Sequence, residues 1–316
     1  LIGCCAVQCN TTCDGSLMGN GIEARSFKIP TFQLAVPIRH RQESVQEYAA
    51  EEVVNAIHFI EEQTGEKFDW DAFFKSMKRF NAETEEFLEW MEISKTDYPQ
   101  VMGVTLALYR YGVYQAAGGR NQAFLDMDKK LTKMALDAYK SKEMAAKEYR
   151  HRAMTWGVQA AYYTALPIWL LNCWGVVTIA DMLSMVSTEM VNTEDKHQAM
   201  LDLAYLYENM IMRNRSNGGY ETGVEALWRF CEMFNIDIVI MYVHMGCKSM
   251  SGYHGLFEEE ARKHGIHLIW VTHNLMCPED GTRRDMRTEI NRYMRTVFRE
   301  EPLDPSLEDF DDSKSW

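Results

Sequence analysis

The stretch Ile236-Asp237-Ile238-Val239-Ile240-Met241-Tyr242-Val243-His244-Met245-Gly246-Cys247-Lys248-Ser249-Met250-Ser251-Gly252 decides the fold. Its first half is a short apolar run of buried-strand length. A helix-like segment, 256–264, follows it. Cys247 therefore stands where a strand ends and a helix begins, and open α/β sheets bind their ligands there. A helix N-terminus offers free N–H groups and the positive end of a dipole, which stabilise a thiolate or an anion. Gly246 lets the backbone turn sharply beside the cysteine. Lys248 can offset negative charge on a thiolate-ligated cluster or bind a substrate anion. On pattern alone, a cysteine after a strand is as often an ordinary loop residue as a ligand.

A second cysteine loop, Val7-Gln8-Cys9-Asn10-Thr11-Thr12-Cys13-Asp14-Gly15, sits in a similar context. Two strand-end cysteine loops far apart in sequence point to one shared metal or cluster site. The Cys-x3-Cys spacing is not that of a zinc ribbon, and no Cys-x2-Cys lies elsewhere. Soft thiolates gathered from separate loops suit an iron–sulfur cluster instead. Asn10, Thr11 and Thr12 can donate hydrogen bonds to cluster sulfurs and so tune its potential. Of the eight cysteines, Cys4 and Cys5 lie in a strand-like run, and Cys173 and Cys231 on apolar helix faces. These four read as small buried hydrophobes. Cys277, before Pro278, is ambiguous. Reduced thiols and a cytoplasmic location fit better than a disulfide framework.

Working outward, 1–7 and 29–37 read as strands flanking a helix at 14–27, a β-α-β unit. Helical spacing then runs from Val45 to Ile60, from Trp70 to Met91, and over 104–117 and 121–144; Asp69 is placed to cap the second of these. A second α/β region has strands at 152–156, 176–181, 236–243 and 266–271. Helices are expected at 165–173, 194–210, 221–234, 256–264 and 283–298. This alternation implies parallel sheets with helices on both faces. The expected fold class is α/β: two Rossmann- or flavodoxin-like domains with a long helical insert. The corresponding boundaries are 1–44 for the remainder of the first α/β domain, 45–147 for the helical region, 148–300 for the second α/β domain and 301–316 for an acidic tail. The chain opens with Leu1 in a strand, so the first domain reads as truncated at its N-terminus. The tail reads as solvated.

The chain has 316 residues and a formal net charge of −13, which argues against a nucleic-acid surface. No apolar run reaches the length of a membrane span. A Walker-A loop, a Gly-x-Gly-x-x-Gly fingerprint and a Gly-x-Ser-x-Gly elbow are absent from the sequence. His267 and His273 read as core or surface residues rather than ligands. Arg283, Arg284, Arg287, Arg292 and Arg295 line the last helix and read as a solvated or subunit-facing surface.

With these elements in order, the chain resembles the 2-hydroxyacyl-CoA dehydratase and benzoyl-CoA reductase family. The likeness rests on the Cys13-Asp14 loop, Lys28-Ile29-Pro30 and the strand ending at Pro37, the helical insert, Arg152-Ala153-Met154-Thr155-Trp156-Gly157 and Val176-Val177-Thr178-Ile179-Ala180-Asp181. His244-x-x-Cys247-Lys248 carries it most strongly, and Met286-Arg287-Thr288-Glu289-Ile290 closes it. The resemblance implies a [4Fe-4S] cluster with Cys13 and Cys247 as two ligands and Cys9 as a substitute third. Asn10, Thr12, His244, Lys248 and Ser249 would surround the cluster or the substrate. It also implies a homologous partner subunit in a heterodimer, an ATP-dependent iron–sulfur activator protein and an acyl-CoA substrate. The implied activity is loss of water from an (R)-2-hydroxyacyl-CoA through a ketyl radical. An aromatic acyl-CoA reductase subunit and a non-catalytic scaffold subunit are the alternatives.

Overall fold

A computed structural model of the protein describes residues 4–9, 14–35, 43–100, 121–182, 189–209 and 220–310. In chain order the elements are β1 (Ala6–Cys9), α1 (Asp14–Phe27), β2 (Thr31–Leu34), α2 (Glu43–Thr64), α3 (Trp70–Ser94), α4 (Gln122–Lys140), β3 (His151–Trp156), α5 (Leu166–Trp174), β4 (Val176–Asp181), α6 (Lys196–Glu208), α7 (Tyr220–Met233), β5 (Ile238–His244), α8 (Lys248–His264), β6 (His267–His273) and α9 (Arg283–Tyr293). The chain packs as two compact units. One comprises Leu1–Glu86, Ala117–Asp128 and Val186–Gly223; the other comprises Phe87–Ala116, Lys129–Met185 and Val224–Trp316. The helix expected at 104–117 lies outside the described residues.

In the first unit, β1 and β2 pair in parallel from Ala6 opposite Thr31 to Cys9 opposite Leu34, and α1 is the crossover between them. Both strands are only half-buried. The β-α-β unit is as expected, but the strand carries on through Cys9, which is its last residue and not part of a loop. Cys4, expected in the core, is exposed because it precedes the first paired residue, and Cys5 is half-buried. Elsewhere α2 packs on α6 through Ala49, Ala50, Ala199, Met200 and Ala204, with Trp70, Phe73 and Phe74 closing over them. Small residues allow the close approach, and Gln46 Nε2 crosses it to donate to Leu201 O at 2.7 Å. Asp69 caps α3 as its sequence implies, accepting the Ala72 N–H at 2.9 Å.

The second unit holds a four-stranded, all-parallel sheet in the order β4-β3-β5-β6. β3, β4 and β5 are buried on both faces, which is why they read as nearly continuous apolar runs. The edge strand β6 opens one face at Trp270 and Thr272. The chain moves from β3 outward to β4, then returns to the far side of β3 for β5. The gap between the carboxyl ends of β3 and β5 is thus a topological switch point, as in flavodoxin-like sheets. On one face α5 and α9 bury Trp169, Leu170, Trp174, Met286 and Ile290, with Met294 just after α9. Trp174 Nε1 donates to Asn291 Oδ1 at 2.9 Å, joining the two helices.

Three expectations need correction. The helix after Cys247 begins at Lys248, not near residue 256. Gly252 and Gly255 disfavour that turn, but burial of Met250, Phe257 and Ala261 along one face overrides them. Arg287 is not solvated: it is 3% exposed, with Nη1 donating to Tyr163 Oη at 3.0 Å and Nη2 to Phe310 O at 2.7 Å. The tail is not free either over its described part. Leu303 N–H donates to Cys173 O at 2.7 Å, Trp169 Nε1 to Leu307 O at 2.8 Å, and Arg295 pairs with Glu301 and Glu308. Acidic residues that would repel one another in a bare tail here meet arginines and backbone donors.

Candidate functional site

The site is built at the carboxyl end of the second unit's sheet. β5 ends at His244, and the chain turns through Met245 and Gly246 to Cys247, the N-cap of α8. Cys247 N–H donates back to His244 O at 2.8 Å, and Gly246 N–H donates to His244 Nδ1 at 2.9 Å. Nδ1 is thereby an acceptor, so a neutral His244 carries its hydrogen on Nε2. A side chain at Gly246 would press on this ring, its Cβ lying 2.9 Å from His244 Cε1. Met245 N–H bonds to His273 O at 3.0 Å, tying the loop to the end of β6. Cys247 accepts at its carbonyl from both N–H and Oγ of Ser251, each at 3.2 Å. Cys247 as a residue is half-buried. Lys248 opens α8 and is exposed, whereas Ser249 Oγ is buried with no hydrogen-bond partner.

Behind this loop lies a group of buried polar side chains. His273 is 0% exposed, and neither ring nitrogen reaches a hydrogen-bond partner at normal distance. Its ring meets Tyr242 edge-to-face at 5.7 Å and His244 at 6.1 Å. Burial lowers its pKa below the ordinary histidine value and His244 adds to the effect, outweighing the nearby backbone of Asn274 and Val158. Tyr242 is raised above the tyrosine value by burial, then by the charges of Tyr163 and Asp181. Its hydroxyl, and Nε1 of Trp156 at the end of β3, are also buried without partners. Native proteins rarely leave buried polar groups unpaired without a functional reason or a bound molecule. At the switch point the two strand ends touch: Gly157 has φ 104°, and a Cβ there would lie 2.3 Å from Tyr242 O.

Of the residues singled out in the sequence, the fold gathers His244, Cys247, Lys248 and Ser249 around one turn. Cys9 ends β1 and is half-buried, and its carbonyl accepts from Asn20 Nδ2 at 3.3 Å. Asn10, Thr12 and Cys13 lie outside the described residues. Among the described residues, no group of three His, Cys, Asp or Glu side chains is arranged to hold a metal ion. The Cys247 turn does fit one ligand of a thiolate-held cluster: a half-buried cysteine at a helix N-terminus, beside a lysine. The reading from sequence places His273 in the core or at the surface rather than among ligands, and it lies buried; Tyr242 is passed over. Both lie in apolar runs; Tyr242 precedes His244 on β5, and the β5–β6 register puts His273 opposite His244.

A parallel α/β sheet with a cysteine turn at its switch point defines a ligand-binding protein of the doubly wound class. The family model for the 2-hydroxyglutaryl-CoA dehydratase D-component matches residues 3–293, and the chain belongs to that family. Membership makes it a component of a 2-hydroxyacyl-CoA dehydratase, a lyase, and implies a partner subunit and an acyl-CoA substrate. No curated protein matches the chain. Among the described residues, no helix is long and apolar enough to cross a membrane.

Proposed function

We propose that the chain is the iron–sulfur subunit of such a dehydratase, converting an (R)-2-hydroxyacyl-CoA to a 2-enoyl-CoA through a ketyl radical after ATP-driven one-electron activation. The observation that carries this reading is the Cys247 turn at the switch point of the sheet, in a chain of this family. Cys247, with Cys13 and Cys9, would hold a [4Fe-4S] cluster. Such a cluster supplies one-electron chemistry and an iron that can polarise a thioester carbonyl. The chain's own residues supply the rest. His244, with Nδ1 engaged by Gly246, offers Nε2–H to a substrate oxygen. The exposed Lys248 and the first N–H groups of α8 favour negative charge at the turn. The buried wall of Trp156, Tyr242 and His273 limits water on the sheet side. A homologous partner subunit and an ATP-dependent iron–sulfur activator complete the system.

Iron and acid-labile sulfide per chain, measured on protein purified without oxygen, test this reading. About four of each are expected, with most of the iron lost in Cys247→Ser because a hard oxygen replaces the soft thiolate. Full iron retention in Cys247→Ser would sink the assignment.

A further inference from the structure

A cleft of about 370 Å³ opens in the second unit, lined chiefly by Tyr162, Tyr163, Ile168, Trp169, Phe310 and Arg283. That is within the size range of small-molecule pockets. Beside Tyr162, Ala161 N–H donates to Leu275 O at 3.0 Å, so the loops that follow the carboxyl ends of β3 and β6 meet next to it.

The polar tips of its aromatic walls are already engaged. Tyr162 Oη donates to Gly281 O, Trp169 Nε1 donates to Leu307 O at 2.8 Å, and Tyr163 Oη accepts from Arg287 at 3.0 Å. What these residues leave to the cleft is ring surface. Two large apolar side chains at its edge stay open to solvent, Ile168 at 51% and Phe310 at 47% exposed. Arg283 is held over the Tyr163 ring at 5.8 Å, its Nε donating to Tyr162 O at 3.1 Å. With the aromatic tips engaged, only Thr164, Asn172 and Arg283 offer polar side chains to a sugar, and a free small anion would leave the apolar walls unused. A flat aromatic ring joined to an acidic group matches both features: stacking surface, and a cation fixed at its edge.

We infer that this cleft binds the adenine end of the acyl-CoA, with the ring between the aromatic walls and Arg283 toward a phosphate. The choice of adenine, rather than another acidic aromatic molecule, rests on the acyl-CoA dehydratase reading. The cleft then anchors the coenzyme at the same end of the sheet as the Cys247 turn.

Calorimetric titration of the full chain with adenosine 3′,5′-bisphosphate, pantetheine and benzoyl-pantetheine tests the inference. The bisphosphate should bind and pantetheine should not. Phe310→Ala and Arg283→Gln should each weaken the bisphosphate at least about fivefold, the low end of base–aromatic stacking. Ile168→Trp, which fills the cleft from an exposed position, should abolish binding while thermal melting shows the variant folded. Binding of benzoyl-pantetheine in competition for the cleft would overturn the adenine assignment in favour of an aromatic acyl group. Bisphosphate binding that is unchanged in all three variants, or absent from the parent chain, would overturn the inference itself. None of these readouts depends on turnover or iron. A chain that loads no cluster yet binds the bisphosphate refutes only the dehydratase mechanism, and an active enzyme whose variants bind normally refutes only the cleft.

Discussion

The two ends of the four-stranded sheet are built on opposite principles. At the amino end the polar groups at the starts of β3 and β5 are tied to partners. Arg152 donates from Nε to Phe234 O at 2.9 Å, from Nη1 to Thr96 O at 2.8 Å and from Nη2 to Ser94 O at 2.7 Å. Asp237 accepts the Arg152 N–H at 2.7 Å and pairs with His151 at 2.5 Å, while His151 reaches Glu300 at 3.0 Å. At the carboxyl end, Trp156 Nε1, the Tyr242 hydroxyl and Ser249 Oγ are buried without hydrogen bonds, and the buried His273 ring nitrogens have only the backbone of Asn274 and Val158 near them. The first end spends its polar groups on stability. The second holds them unsatisfied around the cysteine turn, where a doubly wound sheet binds its ligand.

The strongest way to break this comparison is Gly157→Ala. At φ 104° any side chain is strained, and the new Cβ would lie 2.3 Å from a backbone oxygen. We expect a loss of about 4 kcal/mol, read as a shift in urea midpoint. A loss under about 1 kcal/mol would mean that the two strand ends are not locked at the switch point. Arg152→Ala comes next. It strips three backbone carbonyls of their donor and should cost about 3 kcal/mol. A near-neutral result would show that water replaces the guanidinium and that the amino end is not a stability device.

Much of this architecture can be read in the sequence, and the reasons are local. The buried strands are short runs of β-branched and large apolar residues between turn signals, so 152–156, 176–181, 236–243 and 266–271 stand out. The Cys247 turn is visible because glycine, cysteine and lysine interrupt such a run. The failures are long-range. The start of α8 is hidden by two glycines that tertiary burial overrides, and the docking of the tail depends on Cys173 and Trp169, far away in sequence. His273 carries no signal of its own; its place follows from the β5–β6 register, which pairs it with His244.

Tyr242→Phe sharpens the contrast at the carboxyl end. A buried hydroxyl with no partner costs stability by desolvation, so its removal should leave the protein as stable as before or more stable by about 1 kcal/mol. Chemical denaturation of the purified variant measures this. A destabilisation comparable to that of Arg152→Ala would mean that the hydroxyl is paired, and the distinction between the two ends would fail at this residue.

The smallest effects, those of pH, should have opposite signs at the two ends. Burial pulls the His151 pKa down, but its hydrogen bonds to Asp237 and Glu300, and their charges, outweigh burial and raise it above 6.5. The stability it contributes is therefore complete below the unfolded value of about 6.5 and is lost as pH rises through the raised folded value. His273 is lowered below 6.5, first by burial. Its unfolded form binds protons that the folded form refuses, so stability falls as pH drops through about 6.5 toward the lowered value. Melting temperatures from pH 5 to 9 should thus show an alkaline decline that flattens in His151→Gln and an acid decline that flattens in His273→Phe. If His273→Phe left the acid limb intact, His273 would be free to take up its proton in the fold, and its burial without partners would no longer set the carboxyl end apart.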